Sequence, residues 1–172
     1  FAKTTQVKSA VAYDKAKAKK LFEAGMKEAG QSQLNLTLLA DDADVSKQVA
    51  EYLQGAFEDL PNVKVTIKSI PKAQRLQAMM SGNYDMVVTG WQSIFADAYN
   101  FLDVWISNSS YNTSGYKDAK LDQLLSETET KYGNEPQKRW TMLQDAEKIL
   151  MKDQGTLPLY QANNLELLRS SV

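Results

Sequence analysis

Residues 34–69 read LNLTLLADDADVSKQVAEYLQGAFEDLPNVKVTIKS, and the change of rhythm inside this stretch decides the fold. At its start, Leu34, Leu36 and Leu38 alternate with Asn35 and Thr37, the period of two expected of a strand with one buried face. An acidic turn with Asp41, Asp42 and Asp44 follows. Val45, Val49, Tyr52, Leu53, Ala56, Phe57 and Leu60 then recur at the three-and-four spacing of an amphipathic helix. Pro61-Asn62 ends that helix. Alternation resumes, with Val63, Val65 and Ile67 set against Lys64, Thr66 and Lys68. Strand, helix and strand in this order predict a parallel pair joined by a right-handed crossover, hence an α/β fold.

Upstream, Ala18, Leu21, Phe22, Gly25, Met26 and Ala29 keep helical rhythm over residues 14–29. Asp14 is placed to cap that helix and Gly30 to stop it. Downstream, Pro71 opens a short helix reaching Met80, and Gly82-Asn83 forms a turn. Met86-Val87-Val88 is a short apolar run, read as a fully buried strand that ends at Gly90-Trp91. Residues 92–117 are aromatic-rich and irregular. Two helices are expected near 118–132 and 135–153, the second opened by a capping box of Asn134 and Gln137 with Pro136 in its first turn. Gly155 breaks it, and residues 157–160 read as a last edge strand. There are no internal repeats or evident linkers, so residues 1–172 are taken as one α/β unit.

Composition removes several function classes. The chain has 172 residues, 43% of them hydrophobic, and a formal net charge of −1. That balance gives no electrostatic footprint for nucleic acid. Local Lys enrichment between Lys15 and Lys20 is interleaved with apolar residues and reads as the solvated face of a helix. Cysteine and histidine are both absent. Without them, thiol nucleophiles, Ser-His-Asp triads and Cys- or His-ligated zinc have no residues to use. No stretch approaches the roughly 18 apolar residues of a membrane-spanning helix. The chain starts at Phe1 rather than Met and is expected to be a fragment of a longer protein.

The carboxylates offer little chemistry. Asp41, Asp42 and Asp44 follow a strand, where open α/β sheets present ligands, but the loop lacks the glycine and glutamate of a calcium-binding EF-hand. One of them is expected to cap the next helix. There is no Gly-rich phosphate loop, so neither a cofactor nor a metal is expected. Residues 91–116 are more informative, because Trp and Tyr join a large apolar body to a polar tip and suit the wall of a binding cleft. Trp91, directly after a buried strand, is read as a ligand contact. Phe101, Trp105 and Tyr111 are expected chiefly to pack under the long loop.

Gly82, Tyr84, Asp85, Met86, Gly90, Trp91, Asp97, Phe101 and Leu102 stand in an order seen elsewhere, followed by the polar stretch from Asn108 to Tyr116. Asp122, Leu124, Leu125, Arg139, Ala146, Glu147, Ile149, Leu150, Asp153 and Pro158-Leu159-Tyr160 continue it. In this order and spacing the chain resembles the C-terminal lobe of the oligopeptide- and dipeptide-binding proteins of ABC importers, extracellular solute-binding protein family 5. Tyr13-Asp14, Ala16-Lys17, Leu21 and Ala24-Gly25 agree more loosely with a helix of the same family.

The resemblance implies a type II periplasmic-binding-protein lobe, with a mixed, mostly parallel sheet flanked by helices. It implies a binding module rather than an enzyme, closing on an extended oligopeptide and handing it to the permease subunits. The N-terminal lobe, the hinge and a lipid-anchoring Cys would lie outside this chain, at the cell surface. Ligand contacts are expected from Trp91, Gln92, Ile94, Asp97, Tyr99, Tyr111 and Asn112. One departure stands out. Peptide-binding members usually carry an Asp four residues after the Gly of Gly90-Trp91, pairing with the ligand's α-amino group, and here that position is Ile94. Asp97 matches a second, more often structural Asp, and Ala98 replaces the following Pro. Either Asp97 serves as the anchor or main-chain hydrogen bonds hold the ligand. A peptide-pheromone sensor is the alternative with the same fold. A hydrolase using Asp41 or Asp42 with Asp97 is the alternative of another class, and it needs those carboxylates in one cleft.

Overall fold

The computed structural model describes residues 12–162. Its elements run α1 (Lys15–Glu28), β1 (Leu34–Asp41), α2 (Asp44–Glu58), β2 (Val63–Ile70), α3 (Lys72–Met80), β3 (Met86–Val87), α4 (Tyr99–Leu102), a single 3₁₀ turn (Asp103–Trp105), α5 (Ala119–Thr130) and α6 (Pro136–Lys152). The described strands form one parallel sheet in the order β2-β1-β3. Leu34 pairs with Val63 and the register holds through Asp41 and Ile70, so residues 34–69 form the predicted strand–helix–strand unit.

Alternation along β1 splits its side chains between two faces. Leu38 and Ala40 join Ala50 and Leu53 of α2 and Val65 of β2 in one buried cluster. Leu39 is also buried, on the opposite face, so the C-terminal half of this central strand is covered on both sides. Asp41 shares the face of Leu39. There Arg75 of α3, only 3% exposed, donates from Nε to Asp41 Oδ1 at 2.7 Å and from Nη1 to Thr89 Oγ1 at 2.9 Å. This pair corrects the expectation that the acidic turn caps α2. The cap position is Ala43 without a side-chain hydrogen bond, because Asp41, the last residue of β1, is aimed at α3.

The outer edge of β2 is closed from α2. Glu58 Oε1 accepts from Val65 N at 3.0 Å, and Gln54 donates to the Val65 carbonyl at 2.6 Å. Both backbone groups of Val65 are thus withheld from a further strand. The amide of Val65, followed by Lys64, holds the Glu58 carboxyl below its ordinary pKa.

A second cluster forms apart from the sheet, where Leu102 of α4 meets Leu121 and Leu125 of α5 and Leu143, Ala146, Leu150 and Met151 of α6. α6 closes with a left-handed residue at Gln154 (φ 56°) and a bond from Gly155 N to Leu150 O. The role of Gly155 is therefore proximity. A Cβ there would lie 2.7 Å from Leu150 Cδ1 and 2.8 Å from Tyr116 Cδ2.

Several other expectations are corrected. Met86-Val87 is a half-buried edge pairing of two residues rather than a fully buried strand, because β1 is its one neighbour among the described residues. The Asn134–Gln137 box does not form. α6 starts one residue later, with Glu135 at the cap position and Pro136, which has no N–H to be capped, directly after it. Residues 157–160 are not a strand; Pro158 lacks a donor and no described strand lies alongside. Phe101 is 46% exposed rather than packed beneath the loop. α1 forms as predicted, with Asp14 accepting from Lys17 N and Gly30 at φ 65°. Its apolar stripe is left largely uncovered by the described residues: Leu21 is 62% exposed, and an exposed Lys15–Asp59 pair at 2.7 Å ties the helix to the end of α2.

Two measurements test these contacts. Asp41→Ala strands the buried guanidinium of Arg75, and denaturant unfolding is expected to register a loss of about 3 kcal/mol, most of it recovered by pairing Asp41→Leu with Arg75→Met. A single-variant loss below about 1 kcal/mol would show that the pair does not hold α3 to the sheet. Tyr116 donates to Asp153 Oδ2 at 3.1 Å; burial, then that bond and the charge of Asp153, push its hydroxyl up to about 12. The unfolded chain gives up this proton near pH 10, so folding stability should fall between pH 10 and 12 and be unaffected below. Tyr116→Phe should flatten that part of the profile, and an unchanged slope would refute the assignment.

Candidate functional site: an aromatic cleft beyond the third strand

The sheet delivers the chain to the site. Thr37 N donates to Asp85 Oδ2 at 2.8 Å just before β3, and Val88 N donates to Leu39 O at 2.8 Å just after it. Thr89 is held by Arg75. Trp91 therefore leaves the carboxyl end of a parallel strand from a fixed position, where open α/β sheets place ligands.

From there the irregular segment folds back on itself. Trp91 Nε1 donates to the Asn100 carbonyl at 2.6 Å, and its ring meets Tyr111 edge-on, with centroids 5.1 Å apart and planes at 63°. Such contacts add about 0.5–1.5 kcal/mol beyond burial. Asn100, 7% exposed, is the hub. Its carbonyl takes the indole, its Oδ1 accepts from Ile94 N at 3.1 Å, and its Nδ2 donates to Asp103 Oδ2 at 3.4 Å. Tyr84 OH donates to the Thr113 carbonyl at 2.8 Å and so ties the later part of the segment to the turn before β3.

These contacts enclose an open cleft of about 470 Å³. Of the residues singled out from sequence, Trp91, Gln92, Ile94, Tyr99 and Tyr111 line it together. Tyr111, expected mainly to pack a core, is 62% exposed against Trp91. Ile94 is 86% exposed. Burial, then the negative charges of Glu129 and Asp103, raise the Tyr99 hydroxyl above its ordinary pKa.

Asp97 and Asn112 are not on this lining. Asp97 belongs to a separate depression of about 520 Å³, where Arg139 Nη1 lies 2.9 Å from its Oδ2 while Nη2 reaches Glu129 at 2.6 Å. Asp97 Oδ1 also accepts from Tyr99 N at 2.9 Å. So engaged, it clips α4 to α6 rather than standing free as an anchor. Asn112 donates from Nδ2 to the carbonyls of Tyr116 (2.7 Å) and Ile106 (3.2 Å), which shapes the loop from within.

Asn100, Asp103, Ile106, Asn108, Ser109 and Ser110 complete the cleft and were missed from sequence. The polar run at 108–110 was a visible signal. Asn100 and Asp103 had a fainter one, as polar residues interrupting the apolar Tyr99, Phe101, Leu102 and Val104. The carboxylates needed by a hydrolase are not gathered. Asp41 is spent on Arg75, Asp97 on Arg139, and neither Asp41 nor Asp42 lines either depression. Among the described residues no cluster of three or more acidic side chains is placed to hold a metal ion, and no helix is long and apolar enough to cross a membrane.

The chain is similar to several known proteins. The dipeptide-binding protein of Lactococcus lactis subsp. cremoris is 34% identical over 92% of the chain, which spans 30% of that relative. A crystal structure of the peptide-binding protein of a peptide ABC transporter superposes with a TM-score of 0.80 at 38% identity, covering 85% of this chain and 65% of that one. The pheromone receptor PrgZ, solved to show its mode of peptide binding, superposes with a TM-score of 0.79 at 31% identity over 89% of this chain and 29% of its own. The chain thus spans less than two thirds of each. The model of the bacterial extracellular solute-binding proteins, family 5, matches residues 1–113, and this chain belongs to that family.

Proposed function

We propose that this chain is a ligand-contacting lobe of a binding protein that captures extended oligopeptides for an ABC importer, without catalysing a reaction on them. The observation that carries the reading is the cleft at the carboxyl end of the sheet, walled by Trp91 and Tyr111. An extended peptide offers a row of amides to such a wall. The Asn and Ser side chains at 108–110 supply matching donors and acceptors, and the two rings provide an apolar seat for a side chain. Membership of family 5 and the peptide-binding relatives support the same ligand class.

In this proposal residues 1–172 are the C-terminal lobe. An N-terminal lobe of the same protein closes over the peptide, and the closed form is recognised by the permease subunits. The protein works outside the cytoplasm, on the cell surface through a lipid anchor or in the periplasm. A pheromone-receptor role is supported by the likeness to PrgZ and differs in ligand range rather than in fold.

The test is native mass spectrometry of this chain, and of the intact protein that contains it, with a mixed pool of short peptides. The intact protein should retain peptides and this chain few or none, because half a cleft leaves much of the ligand in water. A broad set of retained lengths points to import, a single sequence to pheromone sensing. Trp91→Ala should lower retention by the intact protein about tenfold, the effect of removing one aromatic anchor that the ligand covers. No retained peptide on the intact protein would overturn the proposal.

A further inference from the structure

The stretch that carries Trp91 and Ile94 has little structure of its own. Residues 91–98 form no helix or strand, and the two large side chains on the cleft are poorly packed: Trp91 is 42% exposed and Ile94 86%. Burial therefore does not fix them. Trp91 meets Tyr111 edge-on, but Tyr111 is itself exposed. Among the described residues, two hydrogen bonds tie residues 91–96 to groups beyond Asp97, and both end on Asn100. The indole Nε1 donates to the Asn100 carbonyl at 2.6 Å, and Ile94 N donates to Asn100 Oδ1 at 3.1 Å. Asn100 is held in turn. It lies in α4, itself buried, two residues before Leu102, which packs into the cluster formed with α5 and α6. Its Nδ2 donates to Asp103 Oδ2 at 3.4 Å, which keeps the amide turned so that Oδ1 faces Ile94.

We infer that Asn100 is the positioning residue of this cleft: it sets the Trp91–Ile94 wall in place before a peptide arrives, and peptide affinity depends on it. A wall that is already ordered spares the ligand the cost of ordering it on binding. The residue type matters. Ile94 N needs an acceptor and Asp103 Oδ2 takes a donor, and one buried amide side chain supplies both. Leucine has a similar volume and supplies neither. Aspartate keeps the acceptor but sets a second negative charge beside Asp103. The helix cluster thus reaches the exposed wall through a single polar side chain and its own carbonyl.

This inference rests on the peptide-binding proposal, and the experiment separates the two. The intact protein is compared with its Asn100→Leu variant and with a double variant, Asn100→Asp with Asp103→Asn, that exchanges the two side chains. The exchange keeps an acceptor for Ile94 N and remakes the bond between positions 100 and 103 with the donor on the other residue. Retention of a mixed pool of four- to six-residue peptides is read by native mass spectrometry. Hydrogen exchange of the free proteins is read at the Ile94 amide and across α5 and α6. Asn100→Leu should lower retention about tenfold and remove protection of the Ile94 amide while α5 and α6 keep theirs. The exchanged pair should restore both readings to within about threefold, because the bonds are remade. Retention by Asn100→Leu within about twofold of the unaltered protein, a loss accompanied by opening of α5 and α6, or no recovery in the exchanged pair overturns the role of Asn100 while peptide binding stands. No peptide retained by the unaltered protein overturns both. If Asn100→Leu does not fold, Ile94→Pro is read against Ile94→Ala. Both remove the isoleucine side chain from an exposed position, and only Pro removes the N–H that Asn100 accepts. Weaker retention by the Pro variant supports the role, and equal retention overturns it.

Discussion

The contact on which the rest depends is the ion pair between Arg75 and Asp41. It sits at the carboxyl end of the sheet, where the central strand stops and the chain must be re-aimed. Arg75 is almost wholly buried, and its planar group reaches in two directions, to the last residue of β1 and to Thr89 after β3. One side chain thus joins a helix, the central strand and the approach to Trp91. A lysine could supply the charge but not two directed bonds from one rigid group. The apolar cluster under α2 supplies most of the burial on its side of the sheet. The arginine determines where the next segment begins.

Beyond that point the structure is organised by a polar residue. Asn100 uses its carbonyl on the indole of Trp91, its side-chain oxygen on the backbone of Ile94 and its amide on Asp103. Asn100 is itself buried, so its polar groups would be costly if left unpaired. The network turns an aromatic-rich loop into a shaped wall, while the separate α4–α5–α6 cluster anchors it from behind. The Asp97–Arg139–Glu129 contacts attach the loop to that cluster. Two acidic residues six positions apart therefore have different fates. Asp97 is neutralised by an arginine and serves the fold. Asp103 keeps an oxygen, Oδ1, that is buried without a hydrogen-bond partner.

Much of the fold was legible in the sequence, for a physical reason. Strand and helix periods are local, and residues 34–69 spell them out, so the parallel pair and α2 follow from side-chain spacing alone. Caps that depend on neighbouring residues were legible where nothing competed, as at Asp14 and Gly30. They failed where a distant partner claimed the side chain, as Arg75 claimed Asp41, or where the helix began one residue later, as at Asn134. Trp91 could be picked out because it follows the strand that delivers it. The roles of Asp97, Asn100, Asp103 and Asn112 could not, since hydrogen bonds and ion pairs form between residues that only the folded loop brings together. Sequence by itself determined the rhythm of the elements and the family. Tertiary structure decided which carboxylates are spent on the fold, because pairing depends on distance in space and not along the chain.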